Sequence, residues 1–361
     1  MESEEFRDSP LCPLFTLCSI YAGDAISSDD LSGEKAIPVY GSNGIRSYAD
    51  KANHLENQVL VGRQGSVGTV HFAEAPFWAA EHALIVEPRT PRVSKSWLKY
   101  VLEAIDLSRL SRAVAQPGIN ATSVSFQRVP HIPFEQQKVI GDYLDRETAE
   151  IDAAVADLDK YVELLNVKLE SASREVFTEL SANHPLIQTK FLVDITTGSG
   201  DTQDSQENGG FPFYVRSDTI QRAEDFEFDC EAVLTSGDGA GVGKIFHLAG
   251  GKFKAHQRVY VMHNFKRVSP QYFYWMFKSA FPDAIRYGGA KSTVDSVRRP
   301  MIANLKIPVP DHDAQEKASK RIEKLHHEVS ALIAKSTKLR DLLLKRRSVL
   351  ITEVVTGRKQ V

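Results

Sequence analysis

Gly237-Asp238-Gly239-Ala240-Gly241-Val242-Gly243-Lys244 is the stretch that comes nearest to a phosphate-binding loop. Such a loop needs Gly, four residues, then Gly-Lys-Ser/Thr, so that backbone amides cradle the phosphates and the hydroxyl meets Mg²⁺. Here Asp238 stands at the first glycine position and Ile245 follows the lysine. The similar stretch Gly62-Arg63-Gln64-Gly65-Ser66-Val67-Gly68 has no lysine at all. Both read as turns between strands. There is no Asn/Asp-Pro-Pro-Tyr/Phe amine-methylation motif, no His-Glu-x-x-His and no Gly-x-Ser-x-Gly. His326-His327 are adjacent on a predicted helix and cannot face one metal together. Cys12, Cys18 and Cys230 are too few for a disulfide framework or a four-ligand zinc site and read as reduced thiols. The chain is expected to be no enzyme by itself; a divergent enzyme would lack any nameable nucleophile, acid or metal site.

What remains is recognition chemistry. Arg and Lys pair with guanine, Asn and Gln pair with adenine, and Asp accepts from cytosine. In the first half of the chain the candidates for DNA contact are Asn43, Arg46, Arg63, Gln64, His82, Gln116 and Asn120. In the second half they are Arg216, Asp218, Arg222, Asp238, Lys254, His256, Gln257 and Arg258. Lys291, Arg298 and Arg299 suit phosphates better. Each alone reads equally as a solvated turn residue, and recurrence in both halves is what singles them out.

The elements that must position these residues come in two copies. Pro38-Val39-Tyr40 matches Pro212-Phe213-Tyr214, and Ala80-Glu81-His82 matches Lys254-Ala255-His256, at a spacing of 174. Trp97-Leu98-Lys99-Tyr100 matches Tyr272-Phe273-Tyr274-Trp275 at 175, as do the steps Ile132-Pro133 and Ile307-Pro308. Strands are expected at 59–61, 67–72 and 83–86, with counterparts at 233–234, 244–248 and 258–262. Short amphipathic helices are expected at 96–104 and 271–279.

Two long stretches poor in Gly and Pro follow the modules. From Ile151 apolar residues recur at steps of 4 and 3 through Val155, Leu158, Val162, Leu165, Leu169, Ala172 and Val176. The second series is Ile322, Leu325, Val329, Leu332, Ser336, Leu339, Leu343, Arg346 and Leu350. These are heptad seams. Residues 132–180 carry a net charge of −7 and residues 307–361 a net +5. Opposite charge predicts that the two helices pair with each other, antiparallel. About 40 residues make a rod of ~60 Å, between one and two DNA turns of ~34–36 Å. The predicted fold is mixed α/β: two similar modules, 1–131 and 183–306, separated by two long antiparallel coiled-coil helices, 132–182 and 307–361, with pseudo-twofold symmetry.

Of the 361 residues, 42% are hydrophobic and 25% charged, with a net charge of −3. That composition excludes a disordered or collagen-like chain. No apolar run of about 18 residues exists, so no membrane span is expected. The acidic Met1-Glu2-Ser3-Glu4-Glu5 is unlike a secretory signal, and a cytoplasmic location is expected.

The ordered set of motifs resembles the specificity subunit of type I restriction–modification enzymes. It comprises Pro38-Val39-Tyr40-Gly41-Ser42-Asn43-Gly44-Ile45, Val61-Gly62-Arg63-Gln64-Gly65-Ser66-Val67-Gly68-Thr69-Val70 and Pro76-Phe77-Trp78. Gln116-Pro117-Gly118-Ile119-Asn120, Ile132-Pro133, Glu135-Gln136-Gln137-Lys138 and Leu350-Ile351-Thr352-Glu353-Val354-Val355-Thr356-Gly357 complete it. One departure is Ala314-Gln315-Glu316-Lys317, where the family favours Glu-Gln. The resemblance implies two target-recognition domains, each reading one half of an interrupted, asymmetric site on double-stranded DNA. It implies helices that fix the gap and dock two methyltransferase (modification) subunits, with restriction/translocase subunits completing the complex. S-adenosylmethionine, ATP and Mg²⁺ would belong to those partners, and this chain would hold no cofactor. The alternative is a non-enzymatic coiled-coil adaptor with two protein-binding modules.

Overall fold

The computed structural model describes residues 10–31, 37–111, 118–287 and 296–361. In chain order the first module contains β1 (Leu11–Pro13), β2 (Cys18–Ala22), β3 (Ile37–Gly41), β4 (Gly44–Ala49), β5 (Gln58–Gly62), β6 (Val70–Ala73), β7 (Trp78–Ala79) and β8 (Ala83–Pro88). Helices α1 (Lys95–Ala104) and α2 (Ala121–Ser125), strand β9 (Arg128–Pro130) and the long helix α3 (Phe134–Asn183) follow. The second module contains β10 (Leu186–Gln188), β11 (Asp194–Thr197), β12 (Phe211–Tyr214), β13 (Gln221–Ala223), β14 (Phe228–Asp229), β15 (Ala232–Ser236), β16 (Phe246–Ala249), β17 (Lys252–Ala255) and β18 (Val259–His263). It ends with α4 (Pro270–Tyr287), α5 (Arg299–Ala303), β19 (Lys306–Pro308) and the second long helix, α6 (His312–Val355). The chain forms two compact units, one of residues 1–159 with 337–361, the other of residues 160–336.

In the first unit an antiparallel sheet runs β2-β8-β5-β6 and a smaller one runs β4-β3-β7. Every residue of the central strand β5 is buried. Side chains alternate across a strand, so Val59 and Val61 pack with Trp97, Leu98 and Val101 of α1. Leu60 packs on the other face with Phe77 and Ile85. Ser94 starts α1 by accepting the Trp97 N–H. The same core takes Ile140 and Leu144 from α3 and Ile351, Val354 and Val355 from α6.

The second unit repeats the plan. Its antiparallel sheet is β11-β18-β15-β16, and its smaller sheet is β13-β12-β17-β14. Its core adds Val176 of α3 and Ala318 and Ile322 of α6 to Tyr272, Phe273 and Phe277 of α4. The helix α4 is longer than the expected 271–279 and carries Pro282 within it.

The ladders fix which residues correspond, and they correct part of the reading by spacing. Val61 pairs with Val70 and with Leu84, while Thr235 pairs with Phe246 and Tyr260. The offset between modules is thus 174 on β5/β15 but 176 on the next strands. Two extra residues lie in the Gly-rich turn of the second module. His256 therefore corresponds to Ala80, because their N–H groups donate to Tyr214 and Tyr40. The counterpart of His82 is Arg258, the acceptor of the Gly237 N–H as His82 is of the Arg63 N–H.

The two Ile-Pro steps are also not equivalent. Cys12 pairs with Val129 and Ile187 with Ile307, so Val129-Pro130 is the counterpart of Ile307-Pro308, 178 residues away. The same offset relates the helix starts at Phe134 and His312. It equates the buried Gln137 with the buried Gln315. Gln137 Oε1 accepts the Ser94 N–H at 2.9 Å, and its Nε2 donates to the Ile132 carbonyl. Gln315 Oε1 accepts the Ser269 N–H at 3.0 Å, and its Nε2 donates to Arg267 and Pro310 carbonyls. Each glutamine locks a long helix to the capping serine of the neighbouring short one, so Ala314-Gln315 preserves the function of Gln136-Gln137.

The seam expected on α3 is buried or half-buried at every position from Ile151 to Val176. On α6 the seam differs. Leu332 and Leu339 are 41% and 49% exposed. Ile333, Arg340 and Arg347 are half-buried in their place, and Arg346 is exposed. At Arg340 and Arg347 the reason is ionic. In the first unit Arg347 donates to Asp152 and Glu103 at 2.9 and 2.8 Å, and Arg340 reaches Asp159 at 3.3 Å. In the second unit Arg321 reaches Glu179 at 3.0 Å. From Asp152 to Asp159 the numbers rise on α3 while from Arg347 to Arg340 they fall on α6, so the helices are antiparallel in the first unit.

Removing either glutamine leaves a buried N–H and carbonyls without partners, at about 1–3 kcal/mol per change. Gln137→Ala is expected to destabilise the unit containing Ser94, and Gln315→Ala the other. Hydrogen exchange of the full chain distinguishes them; uniform protection loss throughout in both variants would contradict the lock.

Candidate nucleic-acid interface

In the first module the turn 63–69 joins β5 to β6. Gly62 enters it where only glycine fits, since a Cβ would collide with the Ser42 and Ser66 carbonyls. The Ser42 hydroxyl donates to the His82 carbonyl at 2.6 Å and accepts the Gln64 N–H at 3.2 Å. Thr69 Oγ1 donates to the Ser42 carbonyl. Three loops thereby converge, bringing Ser42, Arg63, Gln64 and His82 together. Gln64 is exposed and Arg63 half-buried. An Arg63 guanidinium N–H lies 3.4 Å from the Glu81 carbonyl. Glu81 also faces the His82 ring at 3.4 Å. The 119 N–H donates to the Arg63 carbonyl, tying residues 118–119 to the turn.

The remaining candidates of this module are more dispersed. Asn43 and Arg46 are exposed on the β3–β4 hairpin. Asn120 caps α2 by accepting the Ser123 N–H at 2.8 Å, so its side-chain oxygen already has a local partner. Gln116 lies outside the described residues.

In the second module the equivalent turn, 237–245, joins β15 to β16 and contains the short 3-10 segment Gly239–Gly241. The expectation of a strand-to-strand turn holds here. Asp238 takes the place of Gln64: both bridge to a later segment, Asp238 to Ser296 and Gln64 to Gly118. Arg216 takes the place of Ser42. Asp238 Oδ1 accepts from Arg216 Nη1 at 2.7 Å, and Oδ2 accepts from Arg258 Nη1 at 2.5 Å. Burial opposes ionisation of this carboxyl, but hydrogen bonds from the two arginines outweigh it and hold its pKa below the ordinary value. Asp238 is 19% exposed, against 41% for Arg216 and 58% for Arg258. Asp238 was expected to accept from a base; in the fold each of its oxygens accepts from an arginine.

Three other expected contacts are likewise engaged by the fold. Lys254, 12% exposed, is held between Asp204 and Asp225 at 3.1 and 2.8 Å. His256 is buried, and its Nδ1 accepts the Arg258 N–H. Burial, then the nearby Arg216, lowers its pKa. Arg222 donates to the Gly209 and Gly210 carbonyls at 2.6 and 3.0 Å. Gln257 and Arg298 are exposed, and Arg299 donates to the Ile195 carbonyl at 3.1 Å. Lys291 lies outside the described residues. Ser42 escaped the sequence reading; its signal was its place in the Gly41-Ser42-Asn43-Gly44 turn, one position from a candidate.

Among the described residues no group of three or more His, Cys, Asp or Glu side chains is placed to hold a metal ion. No helix among them is long and apolar enough to cross a membrane.

The class defined by these features is a duplicated mixed α/β recognition module, each copy presenting one polar turn at the same place on its sheet. The model of the type I restriction modification DNA specificity domain matches residues 14–156 and 190–339, and the chain belongs to that family. It is 31% identical over 130 residues to the type I restriction enzyme EcoprrI specificity subunit of Escherichia coli, covering 35% of this chain and 32% of that one. It is 24% identical over 166 residues to the EcoDI specificity subunit of Escherichia coli, covering 46% and 36%. The matched stretch thus spans about a third of the length of these curated relatives. A solved structure described under complex assembly and conformational transition of the type I R-M system shares the fold with a TM-score of 0.68. It is 12% identical, over 96% of this chain and 97% of that one.

The exposed Asp218 sits near a second cluster in this unit. Burial lowers the pKa of Lys278, with Asp218 acting against it. Lys278 lies over the Trp275 ring, and Trp275 packs at a tilt against His326 of α6, with ring centroids 4.4 Å apart. Burial, then the Lys278 charge, depresses His326 from 6.5 to about 4. The unfolded chain binds that proton near pH 6.5 and the folded chain only near 4. The stability supplied by the neutral ring is therefore complete above 6.5 and is lost as pH falls toward 4. His326→Phe is expected to flatten the fall in stability between pH 6.5 and 4, read as urea midpoints by tryptophan fluorescence. Parallel pH profiles for the two proteins would refute the assignment.

Proposed function

We propose that this chain is the non-catalytic DNA-specificity subunit of a type I restriction–modification complex, acting in the cytoplasm. Each module reads one half of an interrupted site on double-stranded DNA. The observation that carries this reading is the pair of structurally equivalent turns with different side chains: Ser42, Gln64 and His82 in one, Arg216, Asp238 and Arg258 in the other. A shared scaffold with divergent polar groups at one place is what reading two different half-sites requires. The helices α3 and α6 set the gap and carry two methyltransferase subunits on their outward faces, where Tyr161, Leu164, Leu339 and Leu342 are exposed. S-adenosylmethionine belongs to those subunits, and ATP and Mg²⁺ to the restriction/translocase subunits.

The test is methylation mapping of host DNA with and without the gene. Loss of one interrupted adenine-methylated motif is expected; no lost motif beside an active partner methyltransferase would overturn the proposal. Arg63→Ala is expected to cost about 1–3 kcal/mol on one half-site alone, measured by binding to duplexes altered one base pair at a time. An equal loss on every sequence would make Arg63 a phosphate contact. Asp159 faces Arg340, so inserting four residues beside each lengthens both helices by ~6 Å. The gap tolerated is expected to grow by about two base pairs at ~3.4 Å each; an unchanged gap would remove the helices from the role of ruler.

A further inference from the structure

We propose, on the strength of that DNA-reading role, that Asp238 is a positioning residue that aims Arg216 and Arg258 as a two-pronged reader of guanine in the half-site of the second module. The Asp238 carboxylate binds one Nη1 of each arginine. Each guanidinium has five N–H donors, so most remain free on both exposed side chains. Guanine offers two acceptors, N7 and O6, on its major-groove edge, and the arginine fork matches them.

Electrostatics distinguishes a base contact from a phosphate contact here. Two arginines alone would present a charge of +2; with Asp238 between them the group carries +1. A carboxylate within hydrogen-bonding reach of both guanidiniums repels a phosphate brought to the same place. A base edge has no net charge and escapes that penalty. Direction matters too. An unconstrained arginine grips a phosphate from many angles, whereas a bidentate base contact needs one orientation. The carboxylate supplies that orientation. Its own place is fixed by the turn: the Gly237 N–H donates to the Arg258 carbonyl, the Val297 N–H donates to the Gly237 carbonyl, and the Ser236 hydroxyl donates to the Asp238 carbonyl. Gly239, at φ +74, lets the chain turn away directly after it. The equivalent group in the first module holds no arginine at the Ser42 or His82 positions, so a guanine contact aimed by a shared carboxylate belongs to the second half-site alone.

The experiment captures DNA from a pool of random-sequence duplexes with the full chain and sequences what is retained, at two salt concentrations. The native chain is expected to enrich a two-part motif with guanine in the part read by the second module. Arg216→Lys and Arg258→Lys keep the charge at exposed positions but lose the fork. Each is expected to relax that guanine roughly ten- to hundredfold and leave the other part of the motif unchanged. Asp238→Asn keeps the shape and removes the negative charge. It is expected to lower the guanine preference while raising affinity for unmatched duplex, with a salt slope steeper by about one. Damage to the fold would lower matched and unmatched binding together, and that outcome for Asp238→Asn overturns the proposal. So does an intact guanine preference in both lysine variants. A native chain that enriches no motif sinks the DNA-reading function itself; a native motif that the variants leave untouched sinks only the role of these three residues.

Discussion

The pairing of an acidic helix with a basic one is the constraint on which both units rest. Neither module closes its core alone: Ile140 and Leu144 come from α3, and Ile351, Val354 and Val355 from α6. In the other unit Val176, Ala318 and Ile322 do the same work. The cross-helix ion pairs are largely exposed, and such pairs contribute about 0–1 kcal/mol each. The five buried aliphatic side chains that the two helices bring to the first unit contribute about 1.5–3 kcal/mol each. Apolar burial therefore supplies the stability, while charge decides which helix meets which. Arg347 is the exception, since its partner Glu103 belongs to α1 and is 17% exposed. That bond ties the helix pair to the module, and it explains why an arginine, not a leucine, occupies the α6 seam there.

Much of this was legible in the sequence because it rests on period. Short apolar runs bounded by Gly, Asn, Asp and Pro located β5, β6 and β8 and their counterparts, and heptad steps located α3 and α6. What spacing could not reveal was register. A constant offset of 174–175 concealed two extra residues in the second turn and a net two more before Ile307. Insertions in surface turns cost a chain little, so they leave no mark on the strands flanking them. Only the ladders show that Arg258, and not His256, stands where His82 does. The seam of α6 slipped for a related reason. Hydropathy alone favours Leu339 over Arg340, but the arginine has a carboxylate across the interface.

The candidate contact residues were legible by type and not by partner. Arg216, Asp238, Arg258, Gln64 and His82 were all singled out, and the fold brings them to equivalent turns. Lys254 and His256 look identical to them in sequence, yet Asp204 and Asp225 pair with the first and the second is buried. Such neighbours lie dozens of residues away and follow no local period. The Gln137 and Gln315 locks were half visible, as part of a motif whose physical purpose is a buried hydrogen bond to a capping serine.

The charge distribution bears on how such a chain can hold DNA at all. Phosphate contacts supply most of non-specific affinity, yet the chain carries a net −3, with 47 acidic against 44 basic residues. Arg216 and Arg258 share the Asp238 carboxylate, and as DNA contacts they would trade attraction to phosphate for a fixed direction. In the proposed reading this division is coherent. A specificity chain that gripped every duplex strongly would spend its time on the many wrong sites. One that aims few, oriented groups at base edges discriminates well and binds weakly until other subunits close around the DNA. Weak grip and sharp direction then have a common physical origin in the aspartate between two arginines.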